Sequence, residues 1–121
     1  MFNYKQRLGK QGESAVVRWI RQQGGTVIAR NKHYSGGELD IVAWWQDRLC
    51  FIEVKTRRYN DDNYGGLDEA ITAVKLNKLN VAAQAFLQGL VSELPARYLI
   101  ALVIINNNKQ FTIRLVEIEE I

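Results

Sequence analysis

Two runs decide the fold: Gly37-Glu38-Leu39-Asp40-Ile41-Val42-Ala43-Trp44-Trp45 and Arg48-Leu49-Cys50-Phe51-Ile52-Glu53-Val54-Lys55-Thr56, with only Gln46-Asp47 between them. Both runs are dense in β-branched, aromatic and aliphatic residues, and a short polar dipeptide joins them, which is the signature of a hairpin. Asp40, Glu53 and Lys55 interrupt the apolar pattern. A strand this apolar gains no stability from a carboxylate at its centre, because burying an unpaired charge is costly.

Strand side chains alternate between faces, so Glu38, Asp40, Val42 and Trp44 share one face of the first run. Phe51, Glu53 and Lys55 share one face of the second. A two-residue turn at Gln46-Asp47 pairs Trp45 with Arg48 and, counting outward, Asp40 with Glu53 on the same face. A three-residue turn would pair Asp40 with Val54 and put the acids on opposite faces. In the even register the carboxylates stand about 5 Å apart and repel by about 3 kcal/mol at an effective dielectric of about 20. A divalent cation removes that penalty. Oxygen ligands with open positions for water and phosphate suit Mg²⁺ or Mn²⁺. Zinc is disfavoured, since the chain has one Cys and one His. Lys55 points to the same side as Glu53, where its ammonium can hold an attacking water and neutralise charge developing on a phosphate.

Upstream, Leu8, Ala15, Val16, Trp19 and Ile20 make one face of a helix over about 4–23, stopped by Gly24-Gly25. Glu13 lies at the edge of that stripe, about 20° from Ile20, and from there can add a third carboxylate to the sheet. Residues 26–30 read as a short strand, and 31–37 as a loop carrying Lys32 and His33. Downstream, 57–66 is a polar, glycine-containing loop that opens with Arg57-Arg58. A long helix is expected over 67–90, with Ala70, Ile71, Val74, Val81, Ala82, Ala85 and Phe86 apolar. The near-continuous apolar run at 97–105 reads as a strand buried on both faces. A turn at 106–109 and a last strand at 111–117 complete the order α-β-β-β-α-β-β. Such a chain is an α/β (α+β) single domain spanning 1–121, a mixed central sheet flanked by helices.

The bulk composition narrows the class further. At 121 residues the chain buries roughly two-thirds of its unfolded surface without staples. One cysteine, Cys50, excludes an internal disulfide and fits a reducing compartment. The longest apolar run, 98–105, is too short to span a bilayer, and the N-terminus has no secretory core, so a cytoplasmic protein with no membrane partner is expected. A net charge of +3 permits a polyanionic partner without requiring one.

The pattern resembles the PD-(D/E)XK nuclease superfamily, whose restriction-endonuclease-like core has the order α-β-β-β-α-β. More closely, it resembles the small YraN-like bacterial family, on Gly9-Lys10-Gln11-Gly12-Glu13, Ala29-Arg30-Asn31, residues 37–43 and Phe51-Ile52-Glu53-Val54-Lys55-Thr56-Arg57, with Ala70, Lys75 and Leu79 of the second helix also fitting. The resemblance implies that Asp40, Glu53 and the Val54 carbonyl bind metal and that Lys55 acts on the nucleophilic water. It also matches Glu13 to the first-helix acid of resolvase-like members. The proline of the superfamily name is absent, Leu39 standing before Asp40. No acid follows Arg97, where the family usually has one.

Three functions compete. The first is a Mg²⁺-dependent endonuclease hydrolysing phosphodiester bonds in structured DNA, similar to Holliday junction resolvase-like nucleases, with Glu13, Asp40, Glu53 and Lys55 as catalytic residues. Lys32, Arg57, Arg58 and Lys75 would then hold the nucleic-acid backbone, DNA ahead of RNA, without reading sequence. Cutting two strands of a branched substrate would suit a homodimer. The second is a non-catalytic nucleic-acid-binding or assembly module on a nuclease fold. The third is a metal-dependent hydrolase of a small phosphate ester. Glu38, beside Asp40, is either a supporting acid or an ordinary strand-edge residue. Trp44, Trp45 and Cys50 are expected to pack.

Overall fold

The computed structural model describes residues 3–59 and 72–118. In chain order the elements are α1 (Tyr4–Gln22), β1 (Thr26–Tyr34), β2 (Gly37–Trp45), β3 (Arg48–Arg58), α2 (Ala73–Gln88), β4 (Ala96–Ile105) and β5 (Phe111–Ile118). The five strands form one sheet in the order β1-β2-β3-β4-β5. Only β3 and β4 run parallel; the other neighbours are antiparallel. A parallel pair needs a crossover, and α2 lies in it. The expected single domain, mixed sheet and element order are all observed.

Local chemistry sets the boundaries. Asn3 caps α1: its Oδ1 accepts from the Gln6 N–H at 2.9 Å, and the Gln6 side chain accepts from the Asn3 N–H at 2.9 Å. Gly24, at φ +89°, stops the helix as the Gly-Gly pair suggests. Gln46 and Asp47 adopt φ +54° and +59°, both left-handed, which is the type I′ geometry whose twist suits a two-residue hairpin. Thr72 caps α2 by accepting from the Lys75 N–H at 3.2 Å. The segment 31–37, expected as a loop, is mostly strand: β1 runs to Tyr34 and pairs with β2 through Tyr34↔Gly37. Lys32 and His33 therefore lie on an edge strand. Arg57 and Arg58 likewise end β3 instead of opening a loop. The expected loop and helix start at 60–71 lie outside the described residues.

Among the described residues each face of the sheet carries one helix. On the α1 side Val16, Val17 and Ile20 pack on Ile41, Ala43, Cys50, Ile52, Leu99, Ala101 and Val103. On the α2 side Leu79, Ala82 and Ala83 pack on Leu39, Val42, Leu49 and Phe51. Val81, expected on the apolar face of the second helix, is exposed instead. β4 is buried from Leu99 to Ile105, as its unbroken apolar run suggests. Trp45 packs edge-on against Trp19 at 5.3 Å and lies under the Arg97 guanidinium at 4.7 Å. Cys50 is buried and accepts from Arg97 Nε at 3.3 Å.

Two glycines seat the helices. A Cβ on Gly12 would collide with the Thr56 hydroxyl of β3, and a Cβ on Gly37 with the backbone carbonyl of Lys78 in α2. The missing side chains let α1 and α2 approach the sheet at residues immediately before Glu13 and Glu38. The Thr56 hydroxyl beneath Gly12 is buried and has no hydrogen-bond partner among the described residues. Gly12→Ala and Gly37→Ala are each expected to lower stability by about 1–3 kcal/mol through overpacking. Urea unfolding midpoints would check this, and wild-type midpoints would mean that the helices can slide.

Candidate metal centre

The site forms where the central hairpin opens. The β2–β3 ladder runs from Trp45↔Arg48 to Ile41↔Ile52, the register of the two-residue turn. The next rung would join Asp40 to Glu53, and it is not made. Instead Asp40 Oδ2 accepts the Val54 N–H at 2.8 Å. The carboxylate thus reaches sideways across the fork. It does not stand opposite Glu53 as a directly paired residue, which corrects the face-to-face pairing expected from alternation alone. In an extended strand a residue's N–H and C=O leave on the same side, so the Val54 carbonyl faces the same opening.

The cause of the sideways reach is a reversal of facing on the β1–β2 side. Leu39 and Val42, three residues apart, pack in the same α2-side cluster, and so do Ala29 and Tyr34, five apart. An odd spacing on one face requires the alternation to break once in each strand. The β1–β2 ladder pairs Arg30↔Ile41 and Lys32↔Leu39 but skips the rung between, which is Asn31 and Asp40. Asn31 sits there at φ +50°, a conformation that Asn tolerates better than most residues.

Around the fork, elements from both faces deliver charge. From α1 comes Glu13, whose Oε1 lies 3.9 Å from Lys10 Nζ. The Asn31 amide, oriented to satisfy both neighbours, donates to Glu13 Oε1 at 3.0 Å and accepts from Lys10 Nζ at 3.0 Å. Arg30 reaches Ser14 Oγ at 3.4 Å beside them. From α2 comes Lys75, whose proton affinity is lowered by Lys55 and raised by Glu53.

Burial perturbs these groups strongly. Burial pushes the Asp40 carboxyl up to about 7; Glu13, Glu53 and Glu38 push it the same way, and the Val54 N–H opposes them. Burial likewise raises Glu13, against Lys10, the Asn31 hydrogen bond and Arg30. It raises Glu53 against Lys75 and Lys55. Burial, and then Lys55, lower Lys75 to about 8. Glu13, Asp40 and Glu53, which burial makes reluctant to ionise, border this fork and could each offer an oxygen ligand to a hard divalent cation. Among the described residues no three His, Cys, Asp or Glu side chains converge closely enough to cage an ion unaided.

The remaining candidates take distinct places. Glu38 acts on Glu13, Asp40 and Glu53 alike and pairs through Oε2 with His33 Nδ1 at 3.7 Å. It therefore belongs at the rim of the site. Arg57 is on the Lys75 side, contributing to that lysine's lowered affinity for protons. Arg58 is on the other side, over the Tyr4 ring at 5.5 Å. Lys32 is exposed on β1. Lys75, read from the sequence as a backbone contact, stands much nearer the acids. Asn31 was not singled out as a site residue, because a left-handed backbone leaves no trace in a single sequence. Lys10 had a legible signal in its i,i+3 spacing to Glu13.

Residues 12–116 match the model of the Uncharacterised protein family UPF0102, a span that contains Glu13, Asn31, Asp40, Glu53, Lys55 and Lys75. The chain belongs to this family, the YraN-like family of the resemblance. It is 39% identical over 88 residues to a UPF0102 protein of Desulfosudis oleivorans, covering 73% of this chain and 70% of that one. It is 40% identical over 89 residues to one of Symbiobacterium thermophilum, covering 74% of each. With one of Shewanella sp. (strain ANA-3) it shares 35% over 91 residues, covering 75% of this chain and 82% of the other. Among the described residues of this UPF0102 member, no helix is long and apolar enough to cross a membrane.

The raised carboxyls have a pH signature. Asp40 holds its proton up to about pH 7 when folded but ionises from 3.8 when unfolded, so its contribution is intact at low pH and lost as pH rises through 7. Glu13 and Glu53 act with the same sign. Lys75 acts oppositely, but only above about pH 8. In EDTA, wild-type melting temperature should therefore fall more steeply between pH 5 and about 7.5 than that of Asp40→Asn, and Mg²⁺ should flatten the wild-type curve. Parallel curves for the two proteins would contradict the half-buried, protonated Asp40.

Proposed function

We propose that this UPF0102 protein is a metal-dependent endonuclease acting on structured DNA, with resolvase-like substrates foremost. The observation that carries the reading is the meeting of Glu13, Asp40 and Glu53, each raised by burial, with Lys55 at the open end of one hairpin. Three half-buried carboxyls, all raised by burial and set beside Lys55, are the pattern expected of a functional site.

Asp40, Glu53 and the Val54 carbonyl would hold Mg²⁺ or Mn²⁺, with Glu13 joining directly or through water. Bound there, the ion would polarise the scissile phosphate and acidify the attacking water. Lys55 positions that water and offsets the charge that grows on the phosphate oxygens. Lys75, from the facing helix, adds a second ammonium on the same side, where phosphate oxygens would arrive. Arg57 and Arg58, at the end of β3, and Lys32, on β1, hold the flanking backbone on either side of the fork through phosphate contacts that carry no sequence information. A symmetric dimer would supply the two sites that a four-way junction requires.

The second reading, a binding or assembly module on this fold, is favoured by the engagement of Asp40 Oδ2 with Val54. Cleavage separates the two. Labelled single strand, duplex, flap and four-way junction would be incubated with Mg²⁺ or Mn²⁺. Metal-dependent cutting is expected, reduced about a hundredfold or more in Glu53→Ala and in Lys55→Ala. Binding that is indifferent to EDTA, with no cutting by any form, would establish the module instead.

A further inference from the structure

The skipped rung at Asn31 and Asp40 has two sides, and the metal-site reading uses only one. Asp40 turns toward β3 to reach Val54. Asn31 turns the other way, to α1, and meets Glu13 and Lys10 at 3.0 Å each. A non-glycine residue at φ +50° inside a strand is strained and persists only where its surroundings hold it. Here the amide is the only hydrogen-bonding link observed between Glu13 and the sheet among the described residues, the helix itself being seated through Gly12.

We infer that Asn31 is the positioning residue of the site: set in a left-handed backbone where the β1–β2 ladder breaks, it holds the Glu13 carboxylate on the fork while Lys10 closes the far side of its amide. The inference rests on the metal-site reading for its consequence, though not for its geometry. The amide has a donor and an acceptor end, and each has a matching charged partner. A carboxylate on a helix edge swings freely through its rotamers; held by a donor from the sheet, it is presented in one place. An amide pinned from the far side by an ammonium cannot turn its carbonyl oxygen toward Glu13. The same residue fixes the kink that frees Asp40, so one backbone irregularity orients an acid on each side of it.

The test separates backbone from side chain. Asn31→Gly accepts the left-handed conformation and deletes only the amide. Mn²⁺ affinity of the full chain, read by electron paramagnetic resonance, should drop about tenfold in Asn31→Gly. The melting temperature of Asn31→Gly should be unchanged. Glu13→Ala should lose a similar factor, and Glu13→Ala/Asn31→Gly no more than either single variant, since the two act through one carboxylate. Wild-type Mn²⁺ affinity in Asn31→Gly, or losses that multiply in the double variant, would overturn the inference and leave the nuclease reading standing. If the wild type takes up no Mn²⁺, the metal reading falls. The inference is then decided by the ¹⁵N resonance of the Asn31 side-chain amide: a shift in Glu13→Ala supports it, and an unmoved signal rejects it.

Discussion

The hydrogen bond from the Val54 N–H to the half-buried Asp40 carboxylate organises everything near it. β3 sits inside the sheet, paired in full with β4 on one side. On its other side the ladder to β2 ends at Ile52, and the next donor facing β2, the N–H of half-buried Val54, needs another partner. Asp40 satisfies it without closing the strand gap. The fork stays open, and the acid that props it is held where burial resists its ionisation. A stable sheet could be built more cheaply by zipping these strands further. On the proposed reading, this open, acid-lined end is where a hydrated cation would sit.

The two helices bring opposite contributions to that fork. α1 supplies a carboxylate, Glu13, pulled close by the absence of a side chain at Gly12. α2 supplies an ammonium, Lys75, with the helix pressed on the start of β2 by the absence of one at Gly37. Both signs of charge reach the fork from each side: Lys10 and Arg30 act on Glu13, and Lys75 acts on Glu53. The end of the hairpin remote from the fork is tied down differently: Arg97 bonds the Gln46 side chain at 2.6 Å and pairs with Glu117 at 3.6 Å. The hairpin is thus rigid at its turn and open at its mouth.

Membership in UPF0102 establishes kinship across most of the chain, and the matched span holds nearly every residue of the site. Kinship with an uncharacterised family adds no reaction. The chemical case rests on the fork itself, on how burial, register and two close helix approaches converge on a few charged groups.

Much of this was legible in the sequence because it follows from local patterns. The even turn at Gln46-Asp47, the hairpin register, the doubly buried β4 and the element order all follow from alternation, apolar runs and turn residues. Asp40, Glu53 and Lys55 also stand out in the sequence, as charges where a strand should have none. Three features came only from the tertiary structure. Alternation assumes a regular strand, so it placed Asp40 opposite Glu53 and missed the reversal that sends Asp40 to Val54. The loop expected at 31–37 became strand because pairing with β2 outweighs the weak local propensity of Asn31-Lys32-His33. Lys75 and Asn31 joined the site through contacts between segments far apart in sequence, and no single-sequence period encodes those. The sequence by itself thus determined which residues carry charge into the sheet, since the cost of burying charge is a property of residue type. Only the tertiary structure decided which of them meet, since that depends on where a ladder breaks and how closely two helices can approach.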